Sequence, residues 1–182
     1  EACPVDAIRK GENGRALIDF DKCIFCGKCF EKCPFGAVME RSRILDVLIA
    51  MRGGEKLVAM VAPSAQNQFP GTVEQIFTAV SRLGFADVLE VALGAELTTQ
   101  NEAAEFQERI ASGQKLMTTS CCPAYVELVR KHLPSFLANV SSTPSPMRYA
   151  AGLAKEKHPG AKTVFIGPCI AKRVEAERNG ID

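Results

Sequence analysis

Residues 23–34 read Cys-Ile-Phe-Cys-Gly-Lys-Cys-Phe-Glu-Lys-Cys-Pro, and this stretch decides how the first part of the chain folds. Its four cysteines are separated by two, two and three residues, and a proline follows the last one. Gaps of two residues let a tight loop place three thiolates around one inorganic cluster. Residues 1–38 show no helical period of apolar side chains, as expected for a small fold organised by a cluster rather than by a hydrocarbon core.

The spacing matches the bacterial ferredoxin pattern for 4Fe-4S ligation at every position. In two-cluster proteins of this kind, the fourth cysteine of one run binds the other cluster. Cys3-Pro4 repeats the end of such a run, so Cys33 should bind a second cubane, whose other three thiolates we expect before Glu1. The complete ligand set predicted for the first cubane is Cys3, Cys23, Cys26 and Cys29.

Two other uses of clustered cysteines fit less well. Zinc sites usually pair two Cys-x-x-Cys knuckles across a longer gap than residues 23–34 provide. Disulfide frameworks are typical of small secreted domains, whereas these cysteines stand beside a long α/β pattern. We therefore expect metal ligation in a reducing compartment, the cytoplasm. Export to the periplasm stays open, because the chain begins at Glu1 and not at a methionine.

The composition suits one domain of ordinary size with a small appendage, since the chain has 182 residues and 47% of them are hydrophobic. Lysine and arginine number 22 against 21 acidic residues, so charge alone does not predict a nucleic acid as partner. The longest apolar stretches, such as residues 57–63, are far shorter than the ~20 residues of a membrane-spanning helix. Function must then come from specific sites.

Beyond residue 40, short apolar runs alternate with stretches of helical period, which predicts an α/β domain with a largely parallel sheet. Ligands of such sheets gather at the carboxyl ends of strands. The loops expected there hold every cysteine outside the amino-terminal module, and they are residues 63–64, 120–123 and 168–169. The predicted strands are residues 57–62, 87–91, 115–117 and 163–167, and the predicted helices are residues 44–49, 72–83, 100–111, 125–132 and 146–157.

Two of these loops carry unusual motifs. Residues 119–125 read Thr-Ser-Cys-Cys-Pro-Ala-Tyr, and residues 166–175 read Ile-Gly-Pro-Cys-Ile-Ala-Lys-Arg-Val-Glu. They resemble the first two of three signature motifs of FeFe (iron-only) hydrogenases, in which a ferredoxin-type module often precedes the catalytic domain. The resemblance implies a ferredoxin-like α+β module over residues 1–38 and the first part of a parallel-sheet hydrogenase domain over residues 39–182. The third signature motif is expected after Asp182.

The same resemblance implies roles for the residues of these loops. Cys122 and Cys169 would be two of the four thiolates that hold the cubane of the active-site cluster. Cys121 would not bind iron, and its thiol would carry protons to and from the diiron subsite. Lys172 would donate to a cyanide of that subsite. The residues implied to line the pocket are Pro63, Ser64 and Pro168.

A proton route is also implied by the resemblance. Cys121, Glu102, Ser141 and Glu105 occupy the positions of the family's relay from the buried cluster to solvent, with Glu175 as a further candidate at its outer end. Without the resemblance, two glutamates three residues apart on a helix would be interpreted as a solvated face. Protons that leave a dry site need groups within hydrogen-bond reach, so the relay is chemically coherent.

The function implied is reversible oxidation of hydrogen to protons and electrons, with 4Fe-4S clusters and, in the complete protein, the H-cluster. Its partners would be ferredoxin or another redox carrier and the maturation proteins. Residues 1–182 alone should be inactive, because the active-site ligand set is incomplete within them. Two alternatives are a non-catalytic relative that assembles iron–sulfur clusters or senses hydrogen, and a plain electron carrier. The thiol of Cys121 favours catalysis over the first, and Cys122 and Cys169 have no role in the second.

Overall fold

The parallel sheet lies at the centre of the larger part of the molecule. In this computed structural model, which describes residues 2–181, strand β3 (Leu57–Val61) is flanked by β4 (Asp87–Glu90) and β5 (Lys162–Ile166), both parallel to it. All five residues of β3 are buried, as expected for a central strand covered on both faces. The α/β class predicted from the sequence is confirmed.

Helices cover the two faces of this sheet. Val58 and Met60 of β3 point to one face and pack with α6 (Pro146–Lys157), whereas Leu57 and Ala59 point to the other face. The second face is covered by α2 (Ile44–Arg52) and α3 (Val73–Arg82). Helix α3 begins where predicted, because the Thr72 hydroxyl and the Gln75 side chain form a reciprocal capping box.

The helix that follows β4 is longer than the sequence predicts. Helix α4 runs from Val91 to Ala111, so residue 91 opens a helix instead of ending a strand, and the predicted start near Gln100 is wrong. Gly94 weakens the helical pattern of the first turns. The structure shows its role: a Cβ at Gly94 would lie 2.1 Å from the Pro146 carbonyl oxygen, so only glycine lets α4 approach α6 this closely.

The predicted strand at residues 115–117 is also wrong. These residues are irregular, and the chain pairs only at Thr118, which forms a single parallel bridge to Val140. Thr118 donates its amide to Asn139, and its carbonyl accepts from Ser141. One bridge suffices to place the following cysteine loop beside residues 141–145. The loop leads into α5 (Pro123–His132), which starts with proline at its first position.

The first 38 residues have a different construction. Strands β1 (Ile8–Lys10) and β2 (Ala16–Ile18) form an antiparallel pair, and α1 (Lys28–Glu31) is a single turn. Within residues 2–38 the buried hydrophobic side chains are those of Ala7 and Ile24. So small a core cannot stabilise a domain, which agrees with a module organised by metal.

Two helices of the larger part contact this module. At the end of α5, Lys131 donates to the carbonyl oxygens of Phe20 and Cys23, and the ring of His132 lies 2.8 Å from the Lys22 carbonyl oxygen. Helix α7 (Ile170–Arg178) contributes Ile170, whose Cδ1 would lie 2.8 Å from a Cβ added at Gly27. The module is therefore fixed to the two helices that follow the cysteine loops.

The predicted helix at residues 44–49 is present in α2, but its packing differs from the pattern in the sequence. Val47, Ala50 and Met51 pack on the sheet. The four residues that indicated the helix are more than half exposed, namely Ile44, Leu45, Leu48 and Ile49. None of the helices within residues 2–181 is long and apolar enough to cross a bilayer.

Candidate metal centres

The four cysteines predicted to bind the first cubane face one cavity. Cys3, Cys23, Cys26 and Cys29 line a space of about 450 Å³ between the module and α7, and Cys169 lines it from the other side. Two sulfurs accept hydrogen bonds from backbone amides, Cys3 from Ala7 at 3.2 Å and Cys23 from Phe25 at 3.4 Å. Amides directed at the sulfurs are what tunes an iron–sulfur cluster.

The electrostatics around Cys23 show how close these thiols are. Burial raises the pKa of the Cys23 thiol, the amide of Phe25 lowers it, and the charges of Cys29 and Cys3 raise it again. Within residues 2–181 no three Cys, His, Asp or Glu side chains converge tightly enough to hold a single ion. A donor set of separated thiolates around one cavity suits a cubane, whose four irons each take one thiolate.

Cys33 lies outside this group. It does not line the cavity, and its sulfur accepts from the amide of Ala37 at 3.3 Å. Hydrogen bonds from the amides of Ala37 and Phe35 lower the pKa of the Cys33 thiol. Cys33 is therefore the module cysteine that does not line the cavity, and its role as a ligand of a second cluster stays a prediction.

The paired-cysteine loop presents its thiols to solvent. Cys121, Cys122 and Cys169 are all exposed free cysteines. Cys122 is the N-cap of α5 and Cys169 is the N-cap of α7, so each stands at the positive end of a helix. The Cys121 sulfur lies 3.7 Å from the Thr119 hydroxyl. The two predicted ligands, Cys122 and Cys169, are therefore both N-cap residues, whereas Cys121 is not.

Lys172 joins the two cysteine loops. Its ammonium donates to the Cys121 carbonyl oxygen at 3.2 Å and pairs with the Glu175 carboxylate at 2.7 Å. Only 13% of its side chain is exposed. In the described residues the ammonium therefore fixes the main chain of the paired-cysteine loop against α7.

The other predicted pocket residues occupy the carboxyl ends of strands. Pro63 and Ser64 lie in a 3-10 turn (Pro63–Ala65) directly after β3, and Pro168 follows β5. All three are exposed. The Ser64 hydroxyl takes no part in the side-chain hydrogen bonds of residues 2–181, so it is free to bind a ligand.

Of the predicted relay residues, Ser141 and Glu105 are directly hydrogen-bonded, whereas Glu102 is bonded to Ser120, the neighbour of Cys121. The Ser141 hydroxyl donates to the Glu105 carboxylate at 2.5 Å, and the Ser120 amide donates to the Glu102 carboxylate at 3.0 Å. Both glutamates are half-buried, so the interpretation of a solvated helix face is wrong for this pair. Within residues 2–181 no direct hydrogen bond joins Glu102 to Cys121 or to Ser141. The structure brings the four residues to one side of the paired-cysteine loop without a continuous chain of hydrogen bonds.

Glu105 is held as an anion. Burial alone would raise the pKa of its carboxyl group, but hydrogen bonds from Ser141, Ser142 and Thr143 outweigh that effect and lower the pKa far below the usual range. Arg109 adds an ion pair at 2.6 Å. A carboxylate this strongly stabilised accepts hydrogen bonds but does not store a proton near neutral pH.

Several of these partners are absent from the sequence prediction. Arg109 could have been found, because it lies four residues after Glu105 on a helix, where ion pairs form. Ser142 and Thr143 could not, since their position depends on the bridge at Thr118. Glu127 was also missed: burial raises its pKa, but hydrogen bonds from Arg178 and Arg130 lower it to about 2.

Comparison with known families supports the same assignment. Residues 55–182 match the family described as iron only hydrogenase large subunit, C-terminal domain. This chain belongs to the iron-only hydrogenase family. Residues 16–39 match the 4Fe-4S binding domain, so the cofactor prediction is confirmed at this level: 4Fe-4S for the module and the H-cluster for the hydrogenase family.

Curated hydrogenases are similar over most of this chain. The NADP-reducing hydrogenase subunit HndD of Solidesulfovibrio fructosivorans is 31% identical over 86% of the chain, which covers 31% of that protein. Iron hydrogenase 1 of Clostridium pasteurianum is 30% identical over 80% of the chain, which covers 29% of that protein. The chain thus spans about a third of the length of these two relatives.

Solved hydrogenase structures share the fold. A structure described as showing stepwise H-cluster assembly in FeFe-hydrogenase HydA aligns with a TM-score of 0.67 and 28% identity, over 76% of this chain and 41% of that one. A variant of the FeFe-hydrogenase HydA1 from Chlamydomonas reinhardtii aligns with a TM-score of 0.66 and 27% identity, over 76% of this chain and 40% of that one. The predicted hydrogenase fold is confirmed by these neighbours.

Proposed function

We propose that this chain is the electron-entry module and the first part of the active-site domain of an enzyme that reversibly converts hydrogen to two protons and two electrons. The observation that carries the proposal is the pair Cys121-Cys122, in which Cys122 occupies the N-cap position of α5 and Cys121 stands one residue before it. Cys122 and Cys169 would hold the cubane of the H-cluster. When bound, that cluster supplies the iron chemistry that cleaves or forms the bond of hydrogen.

The protein's own residues would move the proton. The Cys121 thiol takes the proton released at the cluster and passes it towards Glu102, whose carboxylate is bonded to the neighbouring Ser120 amide. Water molecules would complete the route from Cys121 to Glu102 and from Glu102 to Ser141, because neither pair of side chains shares a direct hydrogen bond. The Ser141 hydroxyl then passes the proton to Glu105 at 2.5 Å. Glu105 would be the last group of the route, from which solvent accepts the proton.

Lys172 would orient the active-site loop. Its bond to the Cys121 carbonyl oxygen holds the thiol of that residue in place, and its charge favours an anionic ligand on the cluster. Pro63, Ser64 and Pro168 would close the pocket at the ends of β3 and β5, where ligands of parallel sheets bind.

Electrons would travel through the module. The cavity lined by Cys3, Cys23, Cys26 and Cys29 also touches Cys169, so a cubane there would lie beside a ligand of the active-site cluster. Ferredoxin or another redox carrier would exchange electrons with this side of the molecule, and maturation proteins would insert the diiron subsite. The cytoplasmic location and the boundary between residues 38 and 39 stay predictions.

The test compares neighbouring cysteines in the full-length, matured protein. Cys121→Ala should keep the iron content and the spectrum of the cluster and lose at least about 99% of hydrogen evolution, because proton transfer typically contributes 10²–10⁴-fold. Cys122→Ala should lose active-site iron, since a ligand is removed. Cys121→Asp should retain more activity than Cys121→Ala, because a carboxyl group still exchanges protons.

Two outcomes would contradict the assignment. Parental hydrogen–deuterium exchange by metal-replete Cys121→Ala would remove Cys121 from the proton path. Full iron content in Cys122→Ala would remove that residue from the ligand set. A protein that binds both clusters but shows no turnover even without substitution would instead be the non-catalytic assembly factor or sensor named above.

A further inference from the structure

Lys131 is a half-buried cation that no step of the proposed reaction uses. It lies in the last turn of α5, and only 13% of its side chain is exposed. Its ammonium donates to the Cys23 carbonyl oxygen at 2.6 Å and to the Phe20 carbonyl oxygen at 2.8 Å. Both acceptors belong to the loop that opens the cluster-binding run of the module. A residue of the hydrogenase domain thus contacts the main chain of a predicted cluster ligand.

The contacts of this ammonium fix its position. A lysine ammonium has three donors. Two go to the module, and the third faces the Glu127 carboxylate at 3.3 Å. The ammonium also lies 4.8 Å from the centre of the Phe25 ring, within range of a cation–π contact. Since each donor has an acceptor, the cost of removing the charge from water is offset and the side chain has one position.

The neighbouring carboxylate does not cancel this charge. Glu127 also accepts from Arg130 at 2.6 Å and from Arg178 of α7. Three cations therefore share one anion, and the group keeps a net positive charge. Of the three, Lys131 is the one in contact with the cluster-binding loop, and Arg130 and Arg178 are each 48% exposed, so solvent screens them more strongly.

We propose that Lys131 is a positioning residue that holds the Cys23 loop against α5 and raises the reduction potential of the module's 4Fe-4S cluster. One-electron reduction adds a negative charge to the cluster, and no bond forms or breaks. A fixed positive charge nearby stabilises the reduced cluster more than the oxidised one. This inference rests on the ligand set proposed above, Cys3, Cys23, Cys26 and Cys29, but not on hydrogen turnover.

The position of Lys131 on α5 connects the two centres. Cys122 caps the amino-terminal end of the helix and Lys131 lies in its last turn, about 14 Å away at 1.5 Å per residue. The same rigid helix therefore places a ligand of the active-site cubane and the cation beside the module's cluster. Lys131 would set how readily the module accepts an electron that leaves the active site.

The experiment is a redox titration of the full-length holoprotein, followed by electron paramagnetic resonance with dithionite as reductant. The signal of the module's cluster is identified as the one that Cys23→Ala removes. In Lys131→Met, the ratio of reduced to oxidised cluster at a fixed potential should fall on the order of tenfold, a negative shift of about 59 mV for a one-electron couple. Lys131→Arg keeps the charge and should stay within about threefold of the parent.

Lys32→Met is the matched control. Lys32 lies in the same module but is exposed, so water screens its charge and the ratio should change less than about threefold. An unchanged ratio in Lys131→Met, or an equal fall in Lys32→Met, overturns the proposal.

If Lys131→Met fails to retain the cluster, Lys131→Gln is titrated, because its amide still donates to the loop carbonyls without the charge. An unchanged ratio in Lys131→Gln also overturns it. Cys23→Ala with every signal intact would instead reject the ligand set.

Discussion

The module of residues 2–38 and the sheet domain that follows solve the same problem, placing thiols around a cluster, in opposite ways. In the module the cysteines lie in irregular segments and in the short helix α1, and backbone amides point at the sulfurs of Cys3 and Cys23. Only two hydrophobic side chains are buried within residues 2–38. In the domain Cys122 and Cys169 project from helix ends, and two packed clusters of apolar side chains flank the sheet. The first region is organised by its metal, and the second supports its metal site from an independent core.

The largest expected effect follows from that contrast. Anaerobic removal of iron should unfold residues 2–38 and leave the sheet domain folded, because metal binding supplies the folding free energy of a region without a core. Limited proteolysis with trypsin, followed by mass spectrometry, should show cleavage in the module at least about tenfold faster, while residues 57–166 stay protected.

A pair of cysteine variants makes this comparison sharper. Cys26→Ala should cause the same cleavage in the iron-loaded protein, because Cys26 lines the cluster cavity. Cys33→Ala should leave the module protected, because Cys33 lies outside that cavity. Equal cleavage of the module and the domain after iron removal would show that the two regions fold as one unit.

The sequence predicts a ligand set for the module, although the module is small and has almost no hydrophobic core. Ligand spacing is a local property, so the first ligand set could be inferred from residues 23–34 together with Cys3. The sheet strands were found for a similar reason: the buried run at residues 57–61 is apolar throughout. In both regions the signal lies within a few consecutive residues.

What the sequence does not predict depends on contacts between distant segments. The first turns of α4 contain Gly94, Thr98 and Thr99, which have low helix propensity, and the helix forms there because it packs on α6. In the same way, the acceptor role of Glu105 depends on residues 141–143, which a single bridge brings to it. The ends of elements and the partners of site residues are therefore the parts that tertiary packing decides.

The second prediction tests the core of the domain. Gly94→Ala should lower the free energy of unfolding of the domain by about 3 kcal/mol, because the added Cβ would meet the main chain of α6 at 2.1 Å and a backbone cannot move as a side chain does. The measurement is the urea midpoint followed by far-ultraviolet circular dichroism. The iron content of the module should not change.

Gly152→Ala on α6 is the control for that substitution. No atom lies within 4 Å of a Cβ added at Gly152, so alanine should leave the midpoint unchanged or raise it slightly through its better helix propensity. If both variants had the same midpoint, the close approach of α4 and α6 would not limit stability.

The smallest effect concerns a charge pair at the edge of the sheet, far from both metal sites. Hydrogen bonds from Lys157 and His158 together lower the pKa of Asp87 to about 2, against burial, which raises it. A carboxyl group whose folded pKa is depressed contributes stability above its unfolded pKa, near 3.9, and loses it as the pH falls towards 2.

Because Lys157 is 63% exposed, we expect Asp87→Asn to cost only about 1 kcal/mol at pH 7 and nothing near pH 2. Urea unfolding of the metal-free protein measures this cost, since acid destroys iron–sulfur clusters. Glu55→Gln is the control: Glu55 pairs with Lys162, both side chains are more than 40% exposed, and the substitution should cost less than about 0.5 kcal/mol. If the cost of Asp87→Asn did not depend on pH, the charge of Asp87 would not be what makes this contact stabilising.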